Sequence, residues 1–393
     1  MKKFTTLFAA ALLAPTMGLA APQQQPNPER LQTLMHPDHR VHNFQHMDEV
    51  FPAVSIKGSS KPSHFKSNPA PLPTEYEYKG ETRQLDEFLQ RTVTTGLMVL
   101  KKGEVKAEQY FQGAKADATF TSWSVGKSVV STLISVALKE GHINSLNDKV
   151  NQYVPELRGK AYGDASIKDV LRMATGVEFN EDYHDKASDI NQWMADIFRN
   201  KNDAYAYIAE RPKAEEPGTR FHYISPNSQI LMWVLTRATG ESLQDLVATR
   251  LWEPLGMSDG SFWNTDTQGN ELGFCCLNTT VENYAKLGQL YLQQGEWNGK
   301  QLLSDNWVTE ATKRKEDWLQ AGHSYAERGY GYHIWVPENP QNEYFFNGVW
   351  GQTVWVNEDA DTVIVKTSVD PNFSNHTAEM IAVMRAITAH YQQ

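Results

Sequence analysis

Cysteine is almost missing from this chain. There are two in 393 residues, and they are neighbours, Cys275 and Cys276. Adjacent cysteines bond only through a strained ring, so a disulfide framework is excluded as the stabilising device, and two small buried side chains are expected. Positive charge is also in deficit. The formal net charge is −10, with no basic stripe, which argues against a nucleic-acid partner. There is no G-x-G-x-x-G, Walker or H-E-x-x-H motif and no repeat of fixed period, so the common dinucleotide, phosphate-loop, metalloprotease and solenoid readings fall away. No apolar run is long enough to span a bilayer.

What remains is an ordinary globular composition, 40% hydrophobic and 11% aromatic, long enough for one large domain or two. Residues 1–20 read as an export signal. Lys2 and Lys3 supply its charge, Phe4 to Leu13 its apolar stretch, and Gly18-Leu19-Ala20 or Leu19-Ala20-Ala21 a small-residue cleavage site. A periplasmic or secreted protein starting near Ala21 or Pro22 is expected, with no stable membrane insertion once the signal is gone. Residues 21–75 are expected to form an arm and a Pro- and Ser-rich connector. His36, His39, His42 and His46 invite a metal reading, but Pro37 breaks a helix there and no cysteine or carboxylate pattern completes a zinc site. An extended arm lying on the domain, with no metal, is the expectation.

Further along, Thr95–Lys101 and Glu104–Phe111 read as a hairpin around Lys102-Gly103. Helical patterns fill the middle, and strands return at Tyr330–Trp335, Tyr344–Phe346, Thr353–Val356 and Thr362–Thr367, before a helix over Ala378–Tyr391. The fold class that follows is α/β: an antiparallel sheet flanked by helices from both chain ends (residues 76–140 and 281–393), with a mostly helical domain inserted over 141–280.

The most informative stretch is Thr121 to Ser128. It opens an apolar run, Val129–Leu138, that Gly141 stops. That helix is apolar nearly all round, hence buried, except for one stripe of Ser124, Lys127, Ser128 and Ser131. Ser124 and Lys127 therefore stack one turn apart. A lysine buried beside a serine hydroxyl is costly unless it serves as the neutral amine that takes the serine's proton. A second Ser-x-x-Lys, Ser63 to Lys66, lies among prolines with no helix to stack it. The one G-x-S-x-G match, Gly256 to Gly260, lacks the strand–turn–helix setting of a nucleophile elbow.

Two more segments join the first. Tyr223-Ile224-Ser225-Pro226-Asn227 lies between a Pro-Gly turn and an apolar helix. Asn347-Gly348-Val349-Trp350-Gly351-Gln352 places glycines where a ligand or another backbone can come close. In this order the three segments resemble the serine β-lactamase/penicillin-binding superfamily, closest to its class C and esterase branch, and within it the 6-aminohexanoate-dimer (nylon oligomer) hydrolases. The segment Glu181 to Ser188 resembles a substrate loop of those enzymes. The resemblance covers about Val93 to the C-terminus.

The resemblance implies an acyl-enzyme mechanism without a cofactor. Ser124 would attack a small-molecule amide or ester, with Lys127 as base and Tyr223 relaying the proton to the leaving group. The N–H groups of Ser124 and Val349 would form the oxyanion hole, Ser225 and Asn227 would order the network, and Tyr183, Asn347, Gly348 and Trp350 would contact substrate. One departure matters. Where relatives carry Lys or His two residues before the third motif's glycine, this chain has Phe346, followed by Asn347. That puts β-lactam hydrolysis and D-amino-acid peptidase activity in doubt, and favours an uncharged ester or an amide whose charge is held elsewhere. A non-catalytic binding or sensor protein that kept the cleft stays open as the rival.

Overall fold

The computed structural model describes residues 25–198 and 203–392. The expected export signal lies outside them. At the centre is an eight-stranded sheet, built from β1 (Lys66–Ser67), β2 (Thr94–Lys101), β3 (Glu104–Tyr110), β4 (Arg328–Tyr330), β5 (Trp335–Pro337), β6 (Glu343–Gly348), β7 (Gln352–Asn357) and β8 (Thr362–Ser368). Their spatial order is β4-β5-β6-β7-β8-β2-β3-β1. All neighbours are antiparallel except the short edge strand β1, which runs parallel to β3. The last strand in the sequence, β8, thus pairs with β2, with Ile364 opposite Val99.

Both faces of this sheet are covered, and the period of two sorts its residues. Leu97 and Val99 of β2 join Phe345, Trp355 and Ile364 under one layer, while Met98 and Leu100 join Val354, Val356 and Val363 under the other. The first layer is the C-terminal helix (Phe373–His390), which contributes Met380, Met384 and Ile387. The second includes the helix Val281–Leu292. It lies so close that a β-carbon on Gly288 would come within 2.6 Å of Val363 Cγ1.

The buried helix α1 (Val125–Glu140) ends at Gly141, whose φ of 79° only glycine takes without cost. Its polar stripe has a structural use besides the chemical one: Ser128 Oγ donates to His333 O (2.6 Å) and Ser131 Oγ to Tyr332 O (2.7 Å). Those bonds explain one departure from expectation. Residues 330–335 do not form a single strand, because 331–334 turn away from the ladder to meet α1, with Gly331 N–H donating to Ile334 O at 2.8 Å and His333 at φ 56°.

One other expectation is corrected. The arm is not extended: it forms helices Pro28–Thr33 and Arg40–Asn43 on either side of Pro37. Asn27 caps the first, accepting from Glu29 N–H at 3.1 Å, and the proline at its first position needs no partner. Buried Phe44, Met47, Val50 and Phe51 fasten the arm to the body. The two cysteines are buried, as expected, but joined to each other in a disulfide. The left-handed turn at Cys276 (φ 80°) reverses the side-chain alternation that would otherwise point neighbours apart. Such a ring closes no loop of chain, so it constrains only its own turn. Among the described residues no helix is long and apolar enough to cross a membrane.

Candidate active site

Ser124 sits at the N-terminal end of α1, and Lys127 one turn on. Lys127 Nζ donates to Ser124 Oγ at 2.9 Å and to the Phe274 carbonyl at 2.6 Å. The lysine is 2% exposed and is flanked by the rings of Tyr223 and Phe274. Burial brings its pKa down to about 7, against a smaller upward pull from the Glu181 carboxylate. A lysine at this value is in part a free amine near neutral pH, able to accept a proton.

Tyr223 follows the turn at Gly218 and precedes the helix α2 (Pro226–Thr239). Its ring stacks on Trp335 (5.5 Å, 26°) and meets Tyr330 edge-on. Burial pushes the phenol's pKa up, with the neighbouring Ser124 hydroxyl pulling the other way. It is therefore a protonated donor at working pH.

Beside these, Gly348 brings the end of β6 against the start of α1. A β-carbon on Gly348 would lie 2.5 Å from Ser122 O and 3.2 Å from Ser124 N. That approach sets the backbone of Val349 beside that of Ser124, and both residues line one cavity of about 410 Å³. Tryptophans in left-handed conformation flank the pair, Trp123 (φ 43°) before Ser124 and Trp350 (φ 65°) after Val349. Phe44 of the arm meets both edge-on, at 5.2 and 5.3 Å.

The cavity is also lined by Tyr183 and Asn347. Phe346 faces the other way, 1% exposed and packed on Tyr291. Trp350 does not line the cavity: it rests on Phe44, with Arg40 above it. Ser225 is in the site, yet its partner is neither Lys127 nor Tyr223. Its N–H donates to Glu181 Oε2 at 3.0 Å and its hydroxyl donates to Glu181 Oε1. Asn227 is not in the site. Its Oδ1 accepts from Tyr162 and Thr175, both at 3.2 Å, and its amide meets Met173 Sδ. Two residues further into the helix start, it points to the opposite side from Ser225 and into the core.

Other residues of the cavity had no assigned role in the sequence reading. Glu181, the first residue of the substrate-loop segment, attracts charge on Lys127 while holding Ser225 and accepting from Tyr183 Oη at 2.7 Å. Burial raises its pKa, with Lys127 and those hydrogen bonds opposing. Tyr325, Glu327, Arg328 and Trp335 form the far wall, and Phe373, Ser374 and Thr377 of the last helix the rim. Only Glu181 had a local cue, its place in the segment that carries Tyr183.

Away from the cavity, the arm brings a carboxylate to two of its histidines, which the sequence pattern did not reveal. Ligand atoms of His42, His46 and Glu49 lie within 4.8 Å of one another. Arg30 already pairs with that carboxylate at 2.8 Å, so the group is balanced by a cation of its own.

With this geometry in view, the chain can be set beside known proteins. A family model described as Beta-lactamase matches residues 82–384. A 6-aminohexanoate-dimer hydrolase of Paenarthrobacter ureafaciens is 29% identical over 298 residues, spanning 73% of this chain and 76% of that one. A Bacillus anthracis protein, assigned provisionally as a 6-aminohexanoate-dimer hydrolase, superposes with a TM-score of 0.83 at 24% identity, over 93% of this chain and 98% of its own. A hydrolase with promiscuous acyltransferase activity superposes at 0.64 with 13% identity, over 77% of this chain and 96% of its own.

Proposed function

Because this chain belongs to the Beta-lactamase family, a family of hydrolases, we propose that it is an exported serine hydrolase of small amides or esters. One observation carries the reading: a buried lysine 2.9 Å from a serine hydroxyl at the mouth of a cavity, with its pKa lowered to about 7. As a free amine, Lys127 takes the proton of Ser124 while Oγ attacks the carbonyl carbon. The carbonyl oxygen becomes an oxyanion between the N–H groups of Ser124 and Val349, one of them at a helix N-terminus that favours negative charge. Tyr223 passes a proton to the departing amine or alcohol and recovers one from Lys127. Water enters by the reverse route and releases the acid. Glu181 and Ser225 stiffen the loop that carries Tyr183.

The relatives named for 6-aminohexanoate-dimer hydrolysis favour linear amides, and the buried Phe346 disfavours β-lactams. Intact-mass spectrometry tests the nucleophile. Protein recovered from the periplasm should lack about its first 20 residues, as the signal pattern requires. It should gain one phosphonyl group from a serine-reactive phosphonate, on the peptide containing Ser124. Label on any other residue, or on none, would sink the assignment.

The pH profile tests the base. A group active only when neutral gives activity that is lost as pH falls through its pKa, so kcat/KM for a neutral ester should rise to a plateau with a midpoint of about 7. Glu181 attracts the proton on Lys127, so Glu181→Gln should move that midpoint to lower pH. A midpoint that disappears in this variant would mean that Glu181, not Lys127, is the titrating group.

A further inference from the structure

The far wall of the cavity holds a cation that the proposed reaction leaves unused. Arg328 begins β4, and its side chain is 12% exposed. Its guanidinium lies over the rings of Trp335 (4.2 Å) and Tyr325 (4.8 Å). Its Nη1 forms an ion pair with the carboxylate of its neighbour Glu327 at 3.5 Å, at the outer limit of a hydrogen bond. Its Nε and Nη1 are buried without a hydrogen-bond partner among the described residues. A guanidinium presents a planar fork of N–H donors suited to a carboxylate, and this one lines the cavity with only the neighbouring Glu327 carboxylate paired to it among the described residues.

Its position tells which half of the substrate it would meet. Tyr223, the proposed donor to the leaving group, stacks on Trp335, and the same indole carries Arg328. Tyr223, Trp335 and Arg328 thus form one continuous wall on the leaving-group side, and all three line the cavity with Ser124. The other acidic group in the cavity, Glu181, is taken up by Ser225 and Tyr183. The position that holds an anion in many relatives is here Phe346, which is buried away from the cavity.

We propose that Arg328 is the subsite for a carboxylate on the leaving group, so that the preferred substrates are amides or esters whose amine or alcohol fragment ends in a carboxylate. This deepens the serine-hydrolase reading and rests on it. An ω-amino acid leaving group, such as the relatives' named dimer substrate would release, has this chemistry.

The test uses matched butyrate esters of ω-hydroxy acids with three to five methylenes, and of the corresponding ω-hydroxy carboxamides, on the whole protein. The wild type should prefer the carboxylate member by about tenfold or more in kcat/KM. Arg328→Gln should lower kcat/KM for the carboxylate ester about 10- to 100-fold, the span of one or two charge-assisted hydrogen bonds, while the carboxamide ester falls no more than about threefold. Arg328→Lys, which keeps the charge and loses the fork, should retain part of the preference, and it stands in if the glutamine variant does not fold. Equal losses on both esters in a folded variant, or no preference in the wild type at any length, would overturn the subsite. A wild type that turns over neither ester, and whose Ser124 takes no phosphonate, would overturn the serine-hydrolase reading itself.

Discussion

Lys127→Ala is expected to abolish turnover about as completely as Ser124→Ala, each by roughly 10⁴-fold or more in kcat, because nucleophile and base act as a unit. The geometry gives the reason. Among the described residues, the basic group hydrogen-bonded to the serine is the Lys127 amine, and that amine is fixed from its other side by the Phe274 carbonyl. An alanine takes the amine away from Ser124 and leaves Phe274 O without that donor. The measurement is kcat on p-nitrophenyl butyrate, with thermal unfolding as a control for the space left behind. A folded Lys127→Ala protein within tenfold of the wild type would mean that another group is the base.

Gly348→Ala should cost about 10²- to 10³-fold in kcat with little change in KM, the size expected for losing one oxyanion donor. Gly348 has ordinary extended dihedrals (φ −129°), so the effect would not come from backbone strain. It comes from space: the added methyl would meet the Ser122 carbonyl at 2.5 Å, and that atom is backbone and cannot swing aside. The end of β6 must then move off the start of α1, which separates the N–H of Val349 from that of Ser124. A folded Gly348→Ala protein with unchanged kcat would show that the two donors do not act together.

Much of this was legible in the residues. Helix period placed Ser124 over Lys127, Gly141 marked where the buried helix stops, and Lys102-Gly103 marked a hairpin. These are local facts, set by dihedral preference and by the spacing of apolar side chains. What escaped was set by packing between distant segments. The turn at 331–334 forms because serines of α1, some 200 residues earlier, take its carbonyls. Asn227 looked like a partner of Ser225, but the start of a helix turns alternate residues to opposite sides, and the core claimed it. Arg328 belongs to no motif. It matters only because Tyr325 and Trp335 fold over it at the cavity wall.

The pairing of β8 with β2 has a consequence in time. Ser124 and Lys127 are made early and Tyr223 just past the midpoint, but Val349 arrives more than half a chain length after Ser124, and β6, which ends just before it, is held in the sheet through β7 and β8. A growing chain therefore owns its nucleophile and base long before it owns the second oxyanion donor. Contacts so far apart in sequence form late and slowly. A fragment ending ahead of β6 would be inert, and the first appearance of activity would report that the sheet has closed. A hydrolase built this way is silent while it is synthesised and acts only once it is whole.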